Sequence, residues 1–289
     1  MTAQAVTIEG QAALAGFLRT YSAEVTARDR KGLDAAPDLM KPGSEVFVAA
    51  IPGETVDRIV AAAAQIRRGG LEPVPHIVAR NIASRAALGD LLGRLAGEAG
   101  INRALVLGGD RDKPEGEFES SLQLIQSGLL QAHGVKRIGL AWYPEGHPRV
   151  ADAVLDSARA AKLKAAAEGG FDVWMVSQFC FDPKPILAMA ERIRSEGVTA
   201  PLRVGVAGPA ERATLVKYAL MCGVGASLRA LKERQDLARN VMTGETPEAL
   251  LTELVQTQAR QPQLGLSGVH FFTFGALAKS AQWAESFLG

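Results

Sequence analysis

Midway along the chain, the stretch WYPEGHPRV (142–150) sets a phenol, a carboxylate and an imidazole at alternate positions, Tyr143, Glu145 and His147. Pro144, Gly146 and Pro148 lie between and after them and set the path of the backbone. A surface turn needs only those backbone residues. The three side chains add groups that donate, accept or carry protons, the equipment of polar-ligand binding and of acid–base chemistry. Similar groups stand within or just after other apolar runs. They are Glu24 in YSAEVTA, His76 after Pro75, Asp110 in Gly108-Gly109-Asp110, Gln178 and Asp182 in SQFCFD, and His270 and Thr273 in GVHFFTF.

Each of these residues has a structural explanation when taken alone. Gly-Gly-Asp is a common turn, Asp182-Pro183 a common helix start, and His76 a plausible hydrogen-bonded core histidine. Glu24 could face water from a strand edge, and Cys180 reads as a small buried hydrophobe. A functional reading therefore depends on whether the fold brings these positions to one rim.

The elements that carry them are eight short, β-rich apolar runs at 21–27, 45–51, 72–79, 103–109, 137–142, 172–179, 202–208 and 268–274. Nearly continuous apolar runs of this length suit strands buried on both faces, as in a parallel sheet. Amphipathic stretches lie between them. Residues 54–68 run into Gly69-Gly70, Ser84 is placed to cap the next helix, and 148–168, 184–196, 209–222, 228–242 and 246–260 read similarly. The alternation admits an open doubly wound sheet or a (β/α)8 barrel. A count of eight and the lack of an early GxGxxG favour the barrel: one domain over 1–289, with extra helices before the last strand. In such a barrel chemistry sits at the C-terminal strand ends, where the polar residues above collect.

The composition narrows the classes. Of 289 residues, 32 are basic and 31 acidic, giving a net charge of +1 and no footprint for nucleic acid or an acidic membrane. Cys180 and Cys222 form neither a CxxC nor a metal-ligand spacing, so no metal is expected and a reduced, cytoplasmic setting fits. The first residues lack a basic n-region, and no apolar run reaches the length of a membrane span. The segment near 228–260 is a candidate homo-oligomer interface, although covering the barrel is its simpler role.

SAEVT (22–26), PHIV (75–78), LVLGGD (105–110), YPEGHP (143–148), SQFCFD (177–182) and GVHFFTF (268–274) together resemble the methylenetetrahydrofolate reductases, flavoprotein (β/α)8 barrels. The stretches occur in that family's order over nearly the whole chain, and YPEGHP followed by QFCFD is the most specific pair. The resemblance implies an enzyme that reduces 5,10-methylenetetrahydrofolate to 5-methyltetrahydrofolate, with hydride from NADH or NADPH passing through FAD. It implies Glu24 as the general acid that opens the imidazolidine ring. Asp110 would tune the flavin and assist folate, and Gln178 would contact folate. His76, Gly109, Asp110, Tyr143 and His147 would hold FAD.

The chain departs from that pattern at several FAD contacts. Gly108 stands where the family carries arginine, and Leu163-Lys164-Ala165-Ala166 lacks a second lysine. Arg159 lies near an expected aspartate, Ile51 replaces a threonine, and Phe272, Gly275 and Ala276 replace Tyr, Asn and Arg. Losing charge-assisted contacts weakens the hold on a diphosphate, for which Arg80, Arg111, Lys113 and Arg149 are candidate substitutes. Three alternatives stay open: direct hydride transfer from nicotinamide without flavin, a non-catalytic folate-binding partner of a methyltransferase or demethylase, and an unrelated barrel enzyme such as an aldolase or decarboxylase. The last commonly needs a strand-end lysine or metal cluster, and neither is evident.

Overall fold

A computed structural model describes residues 8–51, 53–224 and 246–288. Eight strands alternate with helices: β1 (Ser22–Thr26), β2 (Glu45–Ala49), β3 (Glu72–Val78), β4 (Arg103–Leu107), β5 (Arg137–Trp142), β6 (Asp172–Ser177), β7 (Leu202–Ala207) and β8 (Leu266–Phe272). They close into a barrel in chain order, β1 to β8, and the registered neighbours run parallel. The (β/α)8 reading therefore holds, and the open doubly wound sheet does not.

The helices are α1 (Ile8–Leu18), α2 (Arg30–Leu39), α3 (Val56–Arg68), α4 (Arg85–Ala99), α5 (Ser121–Gln126), α6 (Leu129–Ala132), α7 (Asp152–Glu168), α8 (Pro183–Ser195), α9 (Arg212–Met221), α10 (Glu248–Arg260) and α11 (Leu277–Glu285). The helix expected over 228–242 lies outside the described residues. Local chemistry sets their ends. Thr55 and Ser84 accept backbone N–H bonds at the starts of α3 and α4, and Asp182 accepts from Lys184 N–H before Pro183 opens α8. Gly70 (φ 75) and Gly100 (φ 58) take the left-handed conformations that end α3 and α4.

By internal packing the described residues fall into two compact units. The first comprises those up to Ala23, Tyr143–Pro148 and those from Ser177 onward; the second comprises Glu24–Trp142 and Arg149–Val176. In the second, Phe47, Val74, Leu105, Trp174 and Val176 form a buried apolar cluster. A Cβ on Gly139 would come within 2.8 Å of the Trp174 ring, so this glycine makes room for the indole. At the N-terminal ends of these strands Arg103 bonds Glu45 at 2.5 Å, and Arg67 bonds Glu72 at 2.6 Å. In the first unit Phe179, Ala207, Leu215 and Ala219 are buried together with Phe272 and Phe274 packed against them.

β8 starts two residues earlier than its apolar run suggests. The pairing shifts between Leu202 and Arg203 of β7, which face Leu266 and Gly268, so Ser267 has no place in the regular register. Gly268 (φ 143) absorbs the irregularity.

Candidate active site

Side chains alternate across a strand, so Val74 and His76 share one face of β3. Val74 belongs to the buried cluster, and His76 continues that face toward the C-terminal end, 8 % exposed. Its Nε2 lies 3.3 Å from Glu24 Oε2, and its ring meets Phe47 edge-on at 6.2 Å. The Glu24 side chain is only 20 % exposed, which removes the reading of a strand-edge charge facing water. The second unit thus brings together a carboxyl and an imidazole that are 52 positions apart in the chain.

Asp110 follows β4 in the same unit and is exposed. Its main-chain oxygen accepts from Arg149 Nη1 at 2.7 Å. Gly109 holds φ 100, and a Cβ there would press to 2.6 Å of Val78; Gly108, by contrast, faces open space. The loop beyond is tied down by Arg80, whose guanidinium donates to the carbonyls of Glu119, Arg111 and Asp112. Arg111 pairs with Glu115 at 3.3 Å, and Arg149 with Asp112 at 3.1 Å. On α7 the buried Arg159 bonds Asp156, and burial first, then the charge of Arg159, lowers the pKa of Lys162.

In the first unit, Tyr143 and His147 are half-buried and meet edge to face, ring centroids 5.1 Å apart. Gln178 follows β6, and its side-chain oxygen accepts from the N–H of Phe179 at 3.0 Å. Cys180 is buried, and burial first, then Glu145 and Asp182, push its thiol well above the usual range. The influence of Glu145 on that thiol sets the YPEGHP loop beside the QFCFD segment. Sequence reading treated Cys180 as a hydrophobe and gave no sign of this link.

His270 is the other buried imidazole in this unit. Its Nδ1 lies 2.9 Å from Ser22 Oγ, which also accepts from Arg203 Nη1 at 3.1 Å. Neither Ser22 nor Arg203 stood out in the sequence, because the bonded residues are more than 180 positions apart.

A profile of the family described as methylenetetrahydrofolate reductase matches residues 39–282. The chain belongs to that family. Membership points to an oxidoreductase acting on a folate. The matched region covers every site residue discussed here except Glu24 and Ser22, both on β1. Among solved structures, the chain is similar to dihydropteroate synthase from Thermus thermophilus (14% identity, 92% of this chain and 93% of that one, TM-score 0.47). It is also similar to 3-dehydroquinate dehydratase from Geobacillus kaustophilus (14% identity, 93% and 89%, TM-score 0.46). A third is Yersinia pestis DHPS with a pterine-sulfa conjugate (14% identity, 99% and 98%, TM-score 0.46).

The family generally binds FAD. Toward such a group the loop after β5 offers the paired Tyr143 and His147 rings, aromatic surfaces of the kind a flat ring system packs against. At the diphosphate end, three candidate substitutes for the missing cations, Arg80, Arg111 and Arg149, are bonded to protein oxygens.

Proposed function

We propose that the chain reduces 5,10-methylenetetrahydrofolate to 5-methyltetrahydrofolate with NADH or NADPH. The observation that carries this reading is the seat of Glu24: a carboxyl on the barrel's β1, largely withdrawn from water and set against an imidazole. A general acid must hand its proton to a bound substrate, and a carboxyl held on a barrel strand away from bulk water is placed for that task.

In this reading Glu24 gives its proton to a ring nitrogen of the folate. The bond from that nitrogen to the methylene carbon breaks, its electron pair staying on nitrogen, and the methylene carbon becomes an iminium. Hydride added to that carbon completes the methyl group. Asp110 and Gln178 orient the folate, while His76, Gly109, Asp110, Tyr143 and His147 hold the redox partner. FAD, when bound, carries hydride from nicotinamide to folate. The reading takes the barrel as one domain of a cytoplasmic protein.

One observation favours a second reading, direct hydride transfer from nicotinamide to folate. Arg80, Arg111 and Arg149 make their bonds within the protein, whereas a diphosphate-bound flavin needs cations. The test is incubation with methylenetetrahydrofolate and NADH or NADPH, with chromatography of the products and a visible spectrum of the protein. Formation of 5-methyltetrahydrofolate supports the reductase, and a flavin spectrum decides for the relay over direct transfer. No product, with or without added FAD, would remove the function.

A further inference from the structure

Aromatic rings gather past the C-terminal ends of β6 and β8, all in the first compact unit. Phe179 is fully buried, and its ring meets Phe272 at 5.2 Å and Phe274 at 5.3 Å. Phe274 stacks on Tyr218, and Phe272 stands 6.4 Å from Phe274 with the two rings inclined by only 28°. Phe272, Phe274 and Tyr218 are half-buried, so this wall keeps surface to offer. We infer that Phe274 is a specificity-determining residue: its wall, with the side-chain amide of Gln178, takes an aromatic ring that carries a carboxamide. The inference rests on the proposed reductase reaction. Both of its reactants contain such a group, the aminobenzoyl amide of the folate and the nicotinamide of NADH or NADPH.

Three observations support this. First, Phe274 holds φ 50, a conformation that disfavours a side chain and persists where the surroundings enforce it, commonly at ligand sites. The strain sets a large ring just beyond a barrel strand's C-terminal end, where such folds bind their ligands. Second, Gln178 is fastened to the same wall, its Oε1 accepting from the N–H of Phe179 at 3.0 Å. A backbone N–H can only donate, so the oxygen is committed there. The Nε2 amide bonds no described residue and is left to donate. Third, Phe272, Gly275 and Ala276 bring no charge to this end of β8, which suits a neutral ring better than a diphosphate or a glutamate tail.

The two parts select for a combination. A flat ring laid against half-buried rings withdraws apolar area from water and adds the attraction of aromatic pairs. An N–H from Gln178 to the carboxamide oxygen then fixes the ring's rotation in its plane. A ring without the carbonyl leaves that donor unpaired, and a carboxamide without the ring leaves the wall wet.

The test uses Phe274→Leu, which removes the ring and keeps apolar volume, and Gln178→Leu, which removes the donor and lies outside the strained turn. Thermal melts check that each variant is folded; should Phe274→Leu fail to fold, Gln178→Leu reads the same point. Calorimetry compares 5-methyltetrahydrofolate with 6-methyltetrahydropterin, which lacks the aminobenzoyl amide, and NADH or NADPH with the matching ADP-ribose, which lacks nicotinamide. The variants should weaken a ring-bearing ligand by about threefold to tenfold and leave its fragment unchanged. Loss confined to 5-methyltetrahydrofolate assigns the wall to the aminobenzoyl ring, loss confined to the dinucleotide assigns it to nicotinamide, and loss of both means that they occupy it in turn. Unchanged affinities would overturn the inference, as would equal weakening of a ligand and its fragment, or a wild-type protein that binds neither ring-bearing ligand. A wild-type protein that binds 5-methyltetrahydrofolate through this wall and reduces no methylenetetrahydrofolate would count against the reaction alone.

Discussion

Phe274 is the one non-glycine residue with positive φ among those described, at 50°, and its ring stacks on Tyr218 with centroids 4.4 Å apart. The left-handed conformation costs a side-chain-bearing residue about 1–2 kcal/mol, which the stacking helps to offset. Phe274→Ala keeps the strain and loses the ring; Phe274→Gly loses both. Denaturant melts should therefore find the glycine variant about 1 kcal/mol more stable than the alanine variant, reversing the usual order. Cys180 gives a second prediction at this scale. Its thiol is held above the ordinary value of 9.0, so the folded chain keeps a proton that the unfolded chain surrenders as pH rises through 9.0. The thiol's contribution to stability is full below that pH and falls away above it. Cys180→Ala should flatten the loss of stability between about pH 8 and 10. Cys222, half-buried, should also be alkylated before Cys180 at about pH 8.

At the scale of elements, the strands were legible because both faces of a parallel barrel strand are buried, which writes apolar runs into the sequence. EVFVAAI, RALVLGG and RIGLAW lie where the structure places β2, β4 and β5. Ser84, Asp182 and Gly69-Gly70 were legible as helix signals because capping is a local affair. The start of β8 was not, since Ser267-Gly268 reads as turn chemistry and only pairing with β7 reveals the irregular register. Glycine placement was equally silent. A Cβ on Gly205 would approach Ser177 O to 2.2 Å and the Phe272 ring to 2.8 Å, although in sequence it is merely a glycine in a strand. Gly205→Ala should destabilise by about 2 kcal/mol as β7 is forced outward, measurable as a lowered denaturation midpoint. The contact between Glu24 and His76 was hidden for the same reason as the Ser22–His270–Arg203 chain: residues on different strands meet only once the barrel closes. The resemblance named Glu24, and only the fold set His76 against it.

At the scale of the molecule, the strands keep buried ion pairs apart from the proposed site residues. The ion pairs among Glu45, Arg67, Glu72 and Arg103 lie at the N-terminal strand ends, whereas Glu24, His76, Asp110 and Gln178 lie toward or beyond the C-terminal ends. Arg103→Ala takes from Glu45, whose side chain is 13 % exposed, its 2.5 Å partner, while Glu72 keeps Arg67; it should cost about 2 kcal/mol while leaving kcat unchanged below the melting range. A single barrel domain should also unfold in one cooperative transition, with matching fluorescence and circular-dichroism curves. Two separated transitions would instead mark the two compact units as independent domains. The account as a whole turns on Glu24. The most direct measurement compares the wild-type protein with Glu24→Gln in two assays, formation of 5-methyltetrahydrofolate and nicotinamide oxidation by a quinone acceptor. The account predicts that the variant loses folate reduction by at least about a thousandfold and keeps the quinone reaction. Undiminished formation of 5-methyltetrahydrofolate by the variant would contradict it.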